Sequence, residues 1–188
     1  MMVWNGGGQN DVFSWITGHE GCGKNNNRYK HTVEKIKLAD KHVVKKDNMR
    51  ILETHAGFGN MTSYWLSIGD TTSIEIKKGR CEEIDKRAHV INADCHNEVY
   101  KLIADKNKYD ILDIDPYGLP SRLFPHVLEL INDGIMFLTF PKYGATQLNK
   151  ISIAHYKILW DIDSNDGILK KIQNKLDEYG FHQKKTGS

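Results

Sequence analysis

The sequence of 188 residues predicts a doubly wound α/β domain built on a mostly parallel sheet, and three observations predict it. Short apolar runs rich in Ile, Leu and Val alternate with amphipathic segments from residue 50 onward, the pattern of strands covered by helices on both faces. A glycine turn, Ala56-Gly57-Phe58-Gly59, follows the first run and opens a helix. Acidic residues then stand at the ends of successive runs, where an α/β sheet binds its ligands.

Residues 1–30 read as a loop-rich extension, because Asn5-Gly-Gly-Gly8, Gly18, Gly21-Cys22-Gly23 and Asn25-Asn-Asn27 all interrupt regular structure. Residues 31–188 form the predicted domain. From Thr32 the apolar positions Val33, Ile36, Leu38, Ala39 and Val43 make a helical stripe, with charges on the opposite face. Strands are predicted at 50–54, 73–76, 89–92, 109–113 and 135–140, with a sixth beginning at Phe181. The helices between them are 61–68, 79–86, 98–105, 121–131 and 168–179. A sheet of this kind would still need its last antiparallel strand pair after Phe181. It is therefore expected to be shortened, cut, or completed by another subunit of the same or a different kind.

Composition bounds the function. With 39% hydrophobic and 27% charged residues the chain matches ordinary globular proteins. No long uncharged apolar stretch suits a membrane span, and the N-terminus lacks the layout of a secretory signal. Cys22, Cys81 and Cys95 are odd in number and scattered, which favours reduced thiols over a disulfide frame or a zinc site. A cytoplasmic protein without a metal is expected. The net charge of +2 hides an uneven distribution. Lys24, Arg28, Lys30, Lys35, Lys37, Lys41, Lys45, Lys46 and Arg50 make the leading segment basic, as is the tail after Pro141, whereas the centre is acidic. A basic rim beside an acidic middle suits a polyanion approaching a site that holds a cationic cofactor; a solvated lysine-rich surface is the alternative.

The most informative stretch is Tyr109-Asp-Ile-Leu-Asp-Ile-Asp115-Pro116-Tyr117-Gly118-Leu-Pro120. Its carboxylate and the carbonyl before the ring can both accept hydrogen bonds from an exocyclic amine, while the ring stacks on the base that carries it. Glu75 follows Gly57 at the spacing of an acid that accepts from a ribose diol. Asp94, after the third strand, is placed to accept from an adenine amine or to cap the next helix. Elsewhere, Gly18-His-Glu-Gly-Cys-Gly23-Lys24-Asn25 nearly matches a phosphate loop, but Asn25 replaces the hydroxyl that would bind magnesium. His155 and His182 lack ligand spacing. Tyr143, Tyr156, Trp160 and Tyr179 are either substrate-stacking or packing aromatics.

The ordered series resembles the class I S-adenosylmethionine-dependent methyltransferases, whose domain is Rossmann-like, over roughly residues 32–181. Glu53-x-x-Ala56-Gly57-x-Gly59-Asn60 resembles the cofactor loop of the amino-methylating nucleic-acid enzymes, with His55 where many members carry a first glycine. The Asp115-Pro-Tyr-Gly-Leu-Pro120 stretch, with Phe124 and Asp133-Gly-Ile-Met-Phe-Leu-Thr139, is similar to the catalytic region of the tRNA guanine N2-dimethyltransferases, but not to the rest of that family's longer chain. The resemblance implies S-adenosylmethionine as cofactor, S-adenosylhomocysteine as product, and cofactor contacts at Glu53, Ala56, Gly57, Gly59, Glu75, Ile76, Asp94, Cys95 and Asp113. It implies a catalytic step at Asp115, Pro116, Tyr117 and Gly118, with RNA or DNA as the substrate partner. A cofactor-binding module active only within a complex, and a small-molecule or protein methyltransferase, are the other classes.

Overall fold

The computed structural model describes residues 2–5, 27–116, 123–124, 126–139, 171, 174 and 177–178. The apolar runs become strands because they carry aliphatic residues on both faces, as strands buried between two helical layers must. In chain order the elements are β1 (Met2–Asn5), α1 (Asn27–His42), β2 (Arg50–Thr54), α2 (Asn60–Trp65), β3 (Asp70–Glu75), α3 (Lys78–Cys81), β4 (His89–Asn92), α4 (Cys95–Ala104), β5 (Tyr109–Ile114), a 3-10 turn at His126–Leu130, and β6 (Ile131–Leu138).

Among the described residues these strands form one sheet in the order β1-β6-β5-β2-β3-β4. Strands β2 to β6 run parallel to one another, and β1 lies antiparallel on the edge of β6. The chain builds outward from β2 through β3 to β4, then returns to lay β5 and β6 on the other side of β2. The order thus reverses between β2 and β5, whose carboxyl ends lie side by side with Thr54 paired to Ile114. Such a switch point opens a crevice at that edge of the sheet.

Alternation along the central strands divides the core. Leu52, Ile74, Leu112 and Met136 face α4 and the 3-10 turn, where Val99, Leu102, Val127 and Leu130 complete one cluster. Ile51, Ile111, Ile135 and Phe137 face the other way, against Leu38 and Ala39 of α1 and Met61 and Trp65 of α2. Glu53 and Asp113 continue this second face toward the carboxyl edge, opposite one another in register.

Several boundaries differ from those read in the sequence. The leading segment is not irregular throughout: Met2–Asn5 adds an antiparallel strand to β6, with Met2 opposite Leu138. Helix α1 begins at Asn27, ahead of the apolar stripe. Helix α3 stops at Cys81; Gly79 weakens it, and buried Ile84 anchors the turns beyond it. Residue 131 opens a strand rather than closing a helix. Residues 171, 174, 177 and 178 are helical as expected, whereas the strand at Phe181 and the phosphate-loop-like segment lie outside the described residues.

Strand β6 reaches its register through a bulge. Tyr109 pairs with Ile131 but Ile111 pairs with Ile135, so extra residues of β6 are taken up where Asp133 adopts φ +48°. Gly134 beside it passes so close to β5 that a Cβ would stand 2.1 Å from the Asp110 carbonyl oxygen. Gly134→Ala should therefore cost about 1–3 kcal/mol, seen as a fall in Tm of several degrees by calorimetry; an unchanged Tm would mean that β5 and β6 separate readily here.

Candidate active site

The turn after β2 is built on three residues in the left-handed region: His55 at φ +58°, Gly57 at +62° and Gly59 at +78°. Glycine tolerates this conformation freely, and His55 takes the strain that a glycine there would avoid. Gly59 is required on a second count, because a Cβ there would meet Ile84 at 3.2 Å. At Gly57 a Cβ would meet only the His55 carbonyl oxygen, at 4.0 Å, so the turn leaves open space over its backbone.

This turn is held by the acids around it. Glu75 accepts from the amide of Gly57 at 2.9 Å and from that of Lys77 at 2.8 Å, fixing the end of β3 against the glycine turn. Arg80 lies 3.9 Å from the same carboxylate and stacks 5.0 Å over the Phe58 ring. Ile76, next along, is 61% exposed. Asn92 ties the ends of β3 and β4, donating to the Glu75 and Ile76 carbonyls at 2.9 Å each. Asp94 caps α4 through Oδ1, which accepts from the amides of His96 and Asn97 at 2.9 and 3.3 Å. Burial raises its carboxyl, but those two amides together with the His96 side chain hold it below the ordinary value. Its Oδ2 accepts no hydrogen bond among the described residues. The Cys95 side chain is buried in the core, where burial pushes its thiol up to about 12, so it is neither a thiolate nor a nucleophile.

Across the switch point stands Asp115, the residue after β5. Its Oδ2 accepts from Lys35 Nζ at 2.9 Å, and the same ammonium donates to Asp113 Oδ1 at 3.0 Å. Trp65 Nε1 donates to the other oxygen of Asp113 at 2.9 Å. Asp113 has no exposed surface. Its side chain is thus a buried support at the carboxyl end of β5. Both its oxygens act only as acceptors, the pattern of an ionised carboxylate, although burial pushes its carboxyl up. Lys35 keeps its charge because the two carboxylates outweigh the burial that would lower it. Asp115 lies below the ordinary carboxylate value: burial raises it, and Lys35, with smaller contributions from Thr139 and His55, more than reverses this.

Lys35 had been read as part of a basic rim, and the structure turns it inward. The sequence did carry a signal: Lys35 precedes Leu38 and Ala39 by three and four positions and so shares their buried face. Arg50 opens β2 and therefore sits at the amino end of the sheet, away from Asp115, where it bonds Asn107. Trp65, Thr62, Ser73, Asn92 and Arg80 were also not anticipated as site residues, because hydrogen bonds between distant segments leave no local pattern. Pro116 follows Asp115 at the edge and is half-buried; Tyr117, Gly118, Lys24 and the aromatics at 143, 156, 160 and 179 lie outside the described residues.

No protein-family model and no curated protein matches this sequence. Solved structures match its fold. A SAM-dependent methyltransferase from Agrobacterium tumefaciens aligns with a TM-score of 0.52 at 13% identity, over 77% of this chain and 53% of its own. One from Archaeoglobus fulgidus gives 0.50 at 12% identity, over 77% and 68%. The fold is that of the class I methyltransferases. A third neighbour, the plantazolicin methyltransferase BamL in complex with a triazolic desmethylPZN analog and SAH, aligns at 0.52 and 14% identity over 80% and 64%. This chain spans about half the length of the Agrobacterium protein.

Glu53 is 3% exposed and accepts from the hydroxyls of Thr62 and Ser73 through one oxygen. Burial first, and Asp113 opposite second, push its carboxyl from 4.5 up to about 8 against those two bonds. The folded value exceeds the unfolded one, so the native state keeps a proton that the unfolded chain releases. Its contribution to stability is full below about pH 4.5 and is lost as pH rises toward about 8. Glu53→Gln keeps a neutral acceptor for both hydroxyls and should flatten the decline in Tm across that interval. Thermal melts over the same pH range check this, and parallel curves for the two proteins would count against a protonated Glu53.

Proposed function

We propose that this domain binds S-adenosylmethionine and transfers its methyl group to an exocyclic amine of a nucleic-acid base, in RNA or DNA. One observation carries the reading: Asp115-Pro116 stands at the carboxyl edge of β5, across the switch point from the glycine turn after β2. An acceptor pair for an amine and a turn suited to a cofactor thus face one crevice. The residues present fit the cofactor. Open space over Gly57 leaves room for its methionine part. Glu75 accepts one amide on each carboxylate oxygen, which leaves lone pairs for ribose hydroxyls. Exposed Ile76 offers an apolar surface to a ring, and the unused Oδ2 of Asp94 faces an amine donor. In the family that the motif resembles, Ala56 and the Cys95 backbone would contact the cofactor, and here Glu53 stiffens the turn from beneath through Thr62.

When bound, the cofactor would supply an electrophilic methyl on a sulfonium, which the amine lone pair would take with cleavage of the methyl–sulfur bond. The chain's own part is to position and to accept. Asp115 Oδ1 and the Pro116 carbonyl accept the two amine hydrogens, which turns the nitrogen lone pair toward the methyl. The proton released from nitrogen passes to Asp115 or to water. Tyr117 supplies the stacking face in the family that the motif resembles.

Radiolabelled methyl transfer to bulk tRNA, rRNA and DNA, followed by nucleoside analysis, should place label on an amino group of guanine, adenine or cytosine. Cofactor binding by calorimetry with no label in any nucleic acid would redirect the search to small-molecule amines. Gly57→Val should abolish cofactor binding, since a β-branched residue fills the open space and resists the left-handed conformation. Asp115→Ala should keep cofactor affinity within a few-fold yet lower transfer by about 10²–10⁴; transfer near the wild-type rate would refute the amine-acceptor role.

A further inference from the structure

Asp113, Lys35 and Asp115 form a chain of charges whose exposure rises outward. The side chains are 0%, 10% and 40% exposed in that order, so the chain meets solvent at Asp115. Its inner end cannot move: Asp113 is packed beneath the sheet edge with one oxygen on Trp65 Nε1 and the other on Lys35. Trp65 is in turn fully buried against Phe137. An ammonium has three protons, and two of them go to the two carboxylates. The position of Nζ is therefore set from below, and with it the position of Asp115 Oδ2.

We propose that Lys35 is a positioning residue for the transfer described above, locking Asp115 in one rotamer with Oδ2 occupied and Oδ1 left to accept from the target amine. This rests on the reading of Asp115 as the amine acceptor. Without the ammonium, Asp113 and Asp115 would be two nearby carboxylates in a poorly solvated place; the fully buried Asp113 would take up a proton first, and Asp115, no longer held down by the lysine charge, would follow at a higher pH than in the wild type. A protonated Asp115 presents a donor where the amine needs an acceptor. Among the described residues, the other charged or titratable groups facing this set are Glu53 beside Asp113 and His55 beside Asp115. Burial lowers the imidazole of His55, which keeps it from replacing the lysine charge near neutral pH.

Full-length Lys35→Met and Lys35→Arg test this with two measurements. In the first, methyl transfer is followed against pH. Lys35→Met should lower kcat by about 10²-fold near neutral pH, leave KM for the cofactor within about threefold, and move the acid limb upward by about a unit or more. Lys35→Arg, which keeps the charge but moves the donors, should retain the wild-type acid limb and lose about tenfold or more in kcat. An unshifted acid limb in Lys35→Met, or full kcat in Lys35→Arg should Lys35→Met fail to fold, overturns the proposal. The second measurement needs no activity: carbon NMR of labelled aspartate carboxyls, with the Asp115 signal assigned by Asp115→Asn. The Asp115 carboxyl should titrate at higher pH in Lys35→Met and near the wild-type position in Lys35→Arg; identical titration in all three proteins overturns the proposal. If the wild type transfers methyl to no substrate, the amine reading falls, and the NMR result alone decides whether Lys35 controls Asp115.

Discussion

The ion pair between Lys35 and Asp113 is the constraint on which the candidate site depends. It joins α1 to the central strand β5 across 78 residues of sequence, and both partners are buried. Taking either charge out of water alone costs several kcal/mol. The pair persists because its remaining hydrogen-bond capacity is used: Trp65 completes Asp113, and Asp115 takes a second proton of the ammonium. Such a pair contributes less to net stability than its Coulomb attraction suggests. What it does contribute is placement, since one helix, one tryptophan and two aspartates must meet at a single point.

The same logic extends sideways through Glu53. This residue opposes Asp113 in the parallel register, and two adjacent strands thus bring two carboxyls together on one face. A single lysine does not neutralise three acids, and burial with Asp113 opposite pushes the Glu53 carboxyl up to about 8, which favours its protonated form near neutral pH. Thr62 at the start of α2 and Ser73 on β3 donate to it, so the glycine turn, its helix and the neighbouring strand are tied to one carboxyl. The turn is therefore rigid below and open above.

The strand series and the glycine turn were legible in the sequence because they rest on short-range patterns: period, apolar runs and breakers. The ends of β2 and β4 fall where the residue pattern put them. Asp94 was legible as a candidate, and its double character as cap and free acceptor follows from its place before α4. The Lys35 pairing and the bulge at Asp133-Gly134 were not legible, because each depends on which strands become neighbours. A lysine within an apolar stripe signals burial but does not name its partner. Likewise Met2–Asn5 is too short and too close to Gly6-Gly7-Gly8 to declare a strand; only the edge of β6 makes it one.

That edge strand also orders events in time. Met2 pairs with Leu138, so β1 and its partner are separated by nearly the whole described chain. At about 5–20 residues per second, the ribosome releases β1 some tens of seconds or less before β6 exists to receive it. Closing so long a loop is also the least local pairing in the sheet, and contacts of that kind form late. Strand β1, synthesised ahead of β6, is therefore among the last to be seated, and until then β6 carries an unpaired edge on which a neighbouring nascent chain can dock.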